Sequence, residues 1–205
     1  MAAARTPKAG CGASALLASV AVMTSMSHTA DDRTDPPLRA DEATTLRAFL
    51  DFHRDTFRWK CAGLTQQQLA QPLPPSDMTL GGMMKHLAVV ESGWFEETFA
   101  GGTSMPPFDT VDWDADRDWE WHTAQDDSPE ELRALFDEAV RRADAIVDAA
   151  LATDDGLDST SVRQSRREGS AFSLRWIVVH MIEEYSRHNG HADLIREAID
   201  GEKGE

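Results

Sequence analysis

Trp176-Ile177-Val178-Val179-His180-Met181-Ile182-Glu183-Glu184-Tyr185-Ser186-Arg187-His188-Asn189-Gly190-His191 concentrates potential metal ligands as no other part of the chain does. His180, Glu184 and His188 recur at every fourth residue, and Leu174, Ile177, Met181, Tyr185, Ala192, Ile195 and Ile199 recur at helical spacing around them. Residues four apart stack on one face of an α-helix, so two imidazoles and a carboxylate converge. The apolar series places the buried face beside or over that stripe and predicts one wall of a helical bundle, the architecture in which inward-facing side chains build metal sites. Taken singly, each His reads as a hydrogen-bonded core residue and the Glu as a solvated charge. The ordered set reads better as metal ligation, because neutral imidazole and carboxylate are the usual donors for zinc and its neighbours. Two donors from one helix do not complete a site. A third has to come from elsewhere.

His86 supplies it. Met83, His86, Val90 and Trp94 follow the three-and-four spacing of a buried stripe within a second helical pattern, which turns His86 inward and leaves Lys85 and Glu91 off the seam. An inward imidazole without a partner carries an unsatisfied nitrogen that is costly to bury, and a metal relieves that cost.

Two further helical patterns flank these. Asp41 caps a first helix running to about Cys61, with Leu46, Phe49, Leu50, His53 and Phe57 expected to face the core. Gln71-Pro72-Leu73-Pro74-Pro75-Ser76 separates it from the second helix, since proline blocks helix continuation. The second helix ends at Gly101-Gly102. Ser128-Pro129-Glu130-Glu131 combines a Ser cap, a first-turn Pro and a Glu three residues on, and so opens a third helix. Its buried stripe is Leu132, Leu135, Phe136, Ala139, Ala143, Ile146 and Ala150. No segment alternates like a strand and no repeat is present, so the expected fold is all-α, four helices with a long loop between the second and third.

The residues also resemble a known family. Asp35-Pro36-Pro37-Leu38, Trp59 to Leu64, Thr79-Leu80-Gly81-Gly82 through His86-Leu87, Val90 to Phe95, and Ser173 to Trp176 through His191-Ala192-Asp193 are similar to the DinB/YfiT-like superfamily. Within it they resemble the actinobacterial branch of mini-circle-protein-like and mycothiol-transferase-like proteins. The resemblance implies a DinB-like four-helix bundle over residues 35–205 that binds one divalent metal, zinc or nickel first, through one ligand on the second helix and two on the last. The superfamily's last helix carries a His, three residues, then a His one residue before a Gly. His188-Asn189-Gly190 fits the second of these, whereas the first falls on Glu184. The implied metal set is therefore His86, Glu184 and His188, with His180 in reserve one turn earlier. His191 stands where relatives often carry Gln and is expected beside the site or at the surface.

Composition agrees with a bundle and excludes some partners. The 205 residues suit one domain, and 41% hydrophobic content is ordinary for a globular protein. A formal charge of −16 argues against nucleic acid, whose phosphates need a basic surface. Two cysteines, Cys11 and Cys61, are too few for a disulfide framework or a thiolate cluster, and Cys61 reads as a small buried residue. Residues 1–34 are expected to be a leader outside the domain, either disordered or lying ahead of a true start at Met23 or Met26. The protein is then cytoplasmic. Arg5 and Lys8 before the apolar run Ala13 to Val22 keep a short export signal as the alternative. That run is too short to span a membrane.

Two connections draw notice. Phe108 to Asp127 holds Trp113, Trp119 and Trp121 among acidic residues. Tryptophans are expensive to expose, and a loop this long is often a lid or binding loop, so it is expected to pack on the bundle or over the metal end. Asp154 to Gly169 carries Arg163, Arg166 and Arg167, which serve either an anionic substrate group or the solvation of an acidic surface.

Three protein ligands leave coordination positions open, and a divalent metal in that state lowers the pKa of a bound thiol or water. The resemblance implies a mycothiol-type thiol as cosubstrate, small electrophiles as its targets through a metal-bound thiolate, and a homodimer through outer helix faces. Two other readings stand beside the S-transferase. One is a metal-dependent hydrolase with Glu183 or Glu91 as proton acceptor, and the other is a non-catalytic metal-binding stress-response protein.

Overall fold

Four long helices carry the chain in the computed structural model, which describes Met1 and residues 33–203. Most of the expected leader, with Cys11, Met23 and Met26, lies outside the described residues. Helix α1 (Glu42–Cys61) starts where the Asp41 carboxylate accepts the Thr44 N–H. A single turn, α2 (Gln66–Leu69), follows behind a Thr65/Gln68 capping box. Helix α3 (Leu80–Glu91) begins at the Thr79 cap and continues with π-helical spacing through Ser92–Phe99. A short helix α4 (Trp119–Thr123) sits in the middle connection. Helix α5 (Pro129–Leu151) opens on the expected Ser128/Glu131 capping box with Pro in its first turn. Helix α6 (Leu174–Asp200) starts at Ser173 and stops at Gly201, whose φ of 83° is the left-handed conformation that ends helices.

The helices pack as two parallel pairs set against each other. Arg175 reaches Glu42 at the start of α1 and α6, and Arg196 reaches the Lys60 carbonyl near their ends, so α1 and α6 run parallel. A Cβ on Gly81 would touch Leu132, and Arg142 pairs with Glu96 further along, so α3 and α5 are parallel too. Arg47–Asp148 and Arg58–Asp137 run α1 against α5, while His86–His188 and Trp94–His180 run α3 against α6. Consecutive parallel helices need a connection that travels back along the first. Here α3 and its continuation, 12 and 8 residues, are on the order of 25–30 Å long at about 1.5 Å per residue. That return explains the long loop.

The core interleaves Leu50 and Phe57 with Leu80, Met83, Leu87, Phe95, Leu132, Phe136, Ile177, Met181 and Tyr185. A smaller cluster of Ala88, Met105, Phe108 and Ala139, flanked by Trp113 and Trp119, seats the crossover on α3 and α5.

Three sequence expectations change here. Phe49 is 44% exposed instead of facing the core, while Leu50 beside it and Arg54 one turn further on are wholly buried. Glu91, expected off the seam, is wholly buried, and Lys85 nearly so. The burial of Arg54 and the burial of Glu91 have one cause. Arg54 donates from Nε and a terminal nitrogen to the two oxygens of Glu91, each at 2.7 Å, and the Tyr185 hydroxyl donates to Glu91 at 2.7 Å. A hydrophobic stripe counts apolar residues and passes over a buried ion pair. Lys85 instead spans Asp127 at 2.6 Å and the Trp119 ring at 4.3 Å, which ties α3 to the crossover.

The third change lies between α5 and α6, where a two-stranded antiparallel hairpin appears, β1 (Thr160–Gln164) and β2 (Ala171–Ser173). Its strands are too short and too irregular in register for an alternation pattern to reveal. Among the described residues no helix is long and apolar enough to cross a membrane.

Candidate metal centre

His86, in the second turn of α3, faces Glu184 and His188 on successive turns of α6. One donor atom from each lies within 4.8 Å of the others. The antiparallel packing of α3 on α6 creates this meeting, with the His86 and His188 rings 5.2 Å apart at their centres. Glu184 Oε2 is 3.6 Å from His188 Nε2. His188 is 8% exposed, and burial, followed by the neighbouring His86, His191 and Arg187, pushes its pKa down to about 4. The ring is therefore neutral at pH 7, the form that donates a lone pair. Its Nδ1 is buried without a protein hydrogen-bond partner. Orphaned imidazole nitrogen, a second imidazole and a carboxylate together form a donor set suited to a divalent metal.

The crossover completes the surroundings. His86 Nδ1 lies 3.0 Å from Glu120 Oε1, and Glu120 is itself only 5% exposed. A carboxylate accepting the Nδ1 proton leaves Nε2 unprotonated and fixes the ring orientation, an arrangement common behind metal-bound histidines. Trp121 lies beside the same imidazole, ring centres 5.0 Å apart. Gly82 makes room for that indole, since a Cβ there would come within 2.6 Å of its ring. Sequence reasoning missed Glu120, which is one of many acids in its loop and carries no spacing that separates it from the rest.

The other expected residues take different positions. His180 stands outside the three-donor group. It stacks on Trp176 at 5.1 Å, meets the Trp94 ring at 4.8 Å and approaches Glu183 at 3.3 Å. His191 packs edge-on to His188 at 5.6 Å and has a buried Nδ1 with no hydrogen bond, so it is beside the site. Cys61 is buried, which raises its thiol to about 12 and removes it as a nucleophile at neutral pH. Neither carboxylate expected to act as a base is free. Glu91 is held by Arg54 and Tyr185, while Glu183 pairs with Arg187 on the surface. Arg163 pairs with Glu97 and donates to the Gly102 carbonyl, tying the hairpin to the bundle, while Arg166 and Arg167 are exposed.

One imidazole from the second long helix thus faces a carboxylate–imidazole pair from the last inside a four-helix bundle, the place where bundles build metal sites from facing helices. The model of the mycothiol-S-transferase family matches residues 45–201, from within α1 to the end of α6. The chain belongs to this family, and so to the DinB/YfiT-like superfamily. Among curated proteins none matches it.

Proposed function

We propose that the protein is a divalent-metal-dependent S-transferase that joins a mycothiol-type thiol to small electrophiles in the cytoplasm. The observation that carries this reading is the convergence of His86, Glu184 and His188 in a chain that matches the family over residues 45–201. These three residues would hold the metal, with zinc and nickel the first ions to test. When bound, a divalent metal lowers the pKa of a coordinating thiol toward neutrality and so raises the thiolate fraction.

The chain's own groups do the rest. Glu120 holds His86 in the tautomer whose Nε2 lone pair is available. Burial keeps His188 neutral. Trp121 packs beside the His86 ring and limits its movement. The thiol belongs to the cosubstrate, because the one described cysteine titrates far above neutral pH. A hydrolase reading would keep the metal but would need a proton acceptor, and Glu91 and Glu183 are both engaged in ion pairs.

The test is metal content together with thiol-dependent turnover. The metal-loaded protein should conjugate mycothiol to an alkylating fluorophore at a rate that a chelator abolishes. His86→Ala and His188→Ala should each lose both metal and rate. Unchanged metal stoichiometry in both variants would reject the ligand set, and retention of full affinity by Glu184→Ala would move the third ligand to His180. Stoichiometric metal without turnover on any thiol would leave a metal-binding protein.

A further inference from the structure

One aromatic cluster next to the centre has no part in the chemistry above. Trp94 on the π-helical segment, Phe172 on β2 and Trp176 on α6 contact one another, with ring centres 4.8–5.4 Å apart. Trp176 is 47% exposed although it stands on the helix that carries two of the candidate ligands. Tryptophan is enriched at binding surfaces because it offers a large apolar face with a polar edge, and grouped exposed aromatics form such a face. The cluster floors a cleft of about 520 Å³ between the hairpin and α6, within the range of roughly 300–1,000 Å³ usual for small-ligand pockets. Its rim is polar, with Thr160, Ser165, Ser170 and Glu168. The Glu168 carboxylate makes no ion pair with any described residue, so its oxygens are available as acceptors.

We propose that Trp94, Phe172 and Trp176 seat the sugar portion of the thiol cosubstrate, with the hydroxyls and Glu168 of the rim receiving its hydroxyl groups. The proposal rests on the transferase reading and adds to it the place where the thiol is recognised. Mycothiol is a cysteine derivative joined through an amide to a glucosamine–inositol pair. Such rings have C–H faces that lie against aromatic surfaces and edges of hydroxyls that need polar partners, and the cleft presents both. The geometry also connects. His180 lies 3.7 Å from the candidate ligand Glu184 and stacks on Trp176, bridging the two sites. Glu184 and Trp176 are eight residues, a little over two helical turns, apart, about 12 Å along α6. A cysteinyl amide separates sulfur from the first sugar ring by on the order of 6 Å at ordinary bond lengths, so the two rings fall over the His180–Trp176 surface. The sugars carry no anionic group. Arg163 on β1 is correspondingly engaged with Glu97.

The experiment separates sugar recognition from chemistry. Glucosaminyl-inositol, which lacks the thiol, is titrated calorimetrically into the full-length protein. Saturable binding is expected, weakened about tenfold (~1.4 kcal/mol) in Trp176→Ala and largely restored in Trp176→Phe. Phe172→Ala, outside the helical bundle, serves as the second variant should Trp176→Ala lose its helical circular dichroism. Leu194→Ala, 60% exposed on the same helix, should bind as the wild type does. In turnover, Trp176→Ala should raise the KM for mycothiol about tenfold more than the KM for N-acetylcysteine, which has no sugars.

Equal effects on the two thiols, a KM change confined to the electrophile, or a change of oligomeric state in Trp176→Ala would overturn the sugar seat while leaving the transferase intact. Trp176-dependent sugar binding without turnover on any thiol would do the reverse.

Discussion

His86 has one ring nitrogen engaged by Glu120 and the other free for a ligand, and this division makes Glu120 the most informative single residue near the centre. Its Oε1 is 3.0 Å from His86 Nδ1 and its Oε2 is buried without a partner, so the carboxylate is desolvated mainly to hold this imidazole. Outer partners of metal-bound histidines typically contribute 10–100-fold to metal affinity. Glu120→Ala is therefore expected to stay folded and to bind zinc about 10–100-fold more weakly, read by competition with a chromophoric chelator. Glu120→Gln, which still accepts a hydrogen bond, should lose less. Equal zinc affinity in Glu120→Ala and the wild type would show that the pair only packs the crossover.

At the scale of elements, two contacts decide how the helices meet. The first is the buried set of Arg54, Glu91 and Tyr185, which joins α1, α3 and α6 inside the apolar core. Removing one partner strands a buried charge, so Glu91→Ala is expected to lower unfolding stability by about 3–5 kcal/mol in urea titrations. The double variant Arg54→Met/Glu91→Leu should recover most of that loss, since apolar residues of similar volume often replace a buried pair without penalty. A cost below about 1 kcal/mol for Glu91→Ala would mean that Asp51 and Asp144, both within 3.1 Å of Arg54, suffice to satisfy it. The second contact is Trp121 on Gly82 at the start of α3. Gly82→Ala puts a methyl group where the indole lies, and overpacking of this kind costs about 1–3 kcal/mol. Because the displaced indole is the one beside His86, the variant should also weaken zinc binding. Stability lost with zinc affinity intact would separate the crossover from the site.

Across the whole molecule, the donors come from α3 and α6, and a bound ion would cross-link the two parallel helix pairs. Ligands that bind only the native state stabilise it by mass action, about 2.7 kcal/mol at a concentration one hundred times Kd. For a chain of this size the melting temperature should rise by roughly 5–10 °C when zinc or nickel is added to metal-stripped protein. The same addition should leave His188→Ala unmoved. An unshifted melting temperature across a panel of divalent ions would remove the metal centre from the account.

Local signals in the sequence determined the elements. Side-chain caps at Asp41, Ser128 and Ser173, proline before the second helix and glycine after the last depend on neighbours a few residues away. Helix periodicity likewise put Glu184 and His188 on one face, because fourfold spacing is a property of the helix itself, and the buried stripe of Met83, His86, Val90 and Trp94 turned His86 inward as their candidate partner. Tertiary structure alone decided what those faces meet. The parallel course of α3 and α5 sends the crossover back to the start of α3, and only that return puts Glu120 and Trp121 on His86. Arg54 and Glu91, separated by 37 residues, found each other in the core at positions where periodicity saw only charge. Trp94, Phe172 and Trp176 come from a π-helical segment, a hairpin too short to read, and a helix, and no spacing in the chain links them. Capping and periodicity are short-range and leave an imprint on consecutive residues. Which distant groups share a desolvated pocket is set by the direction in which the helices pack.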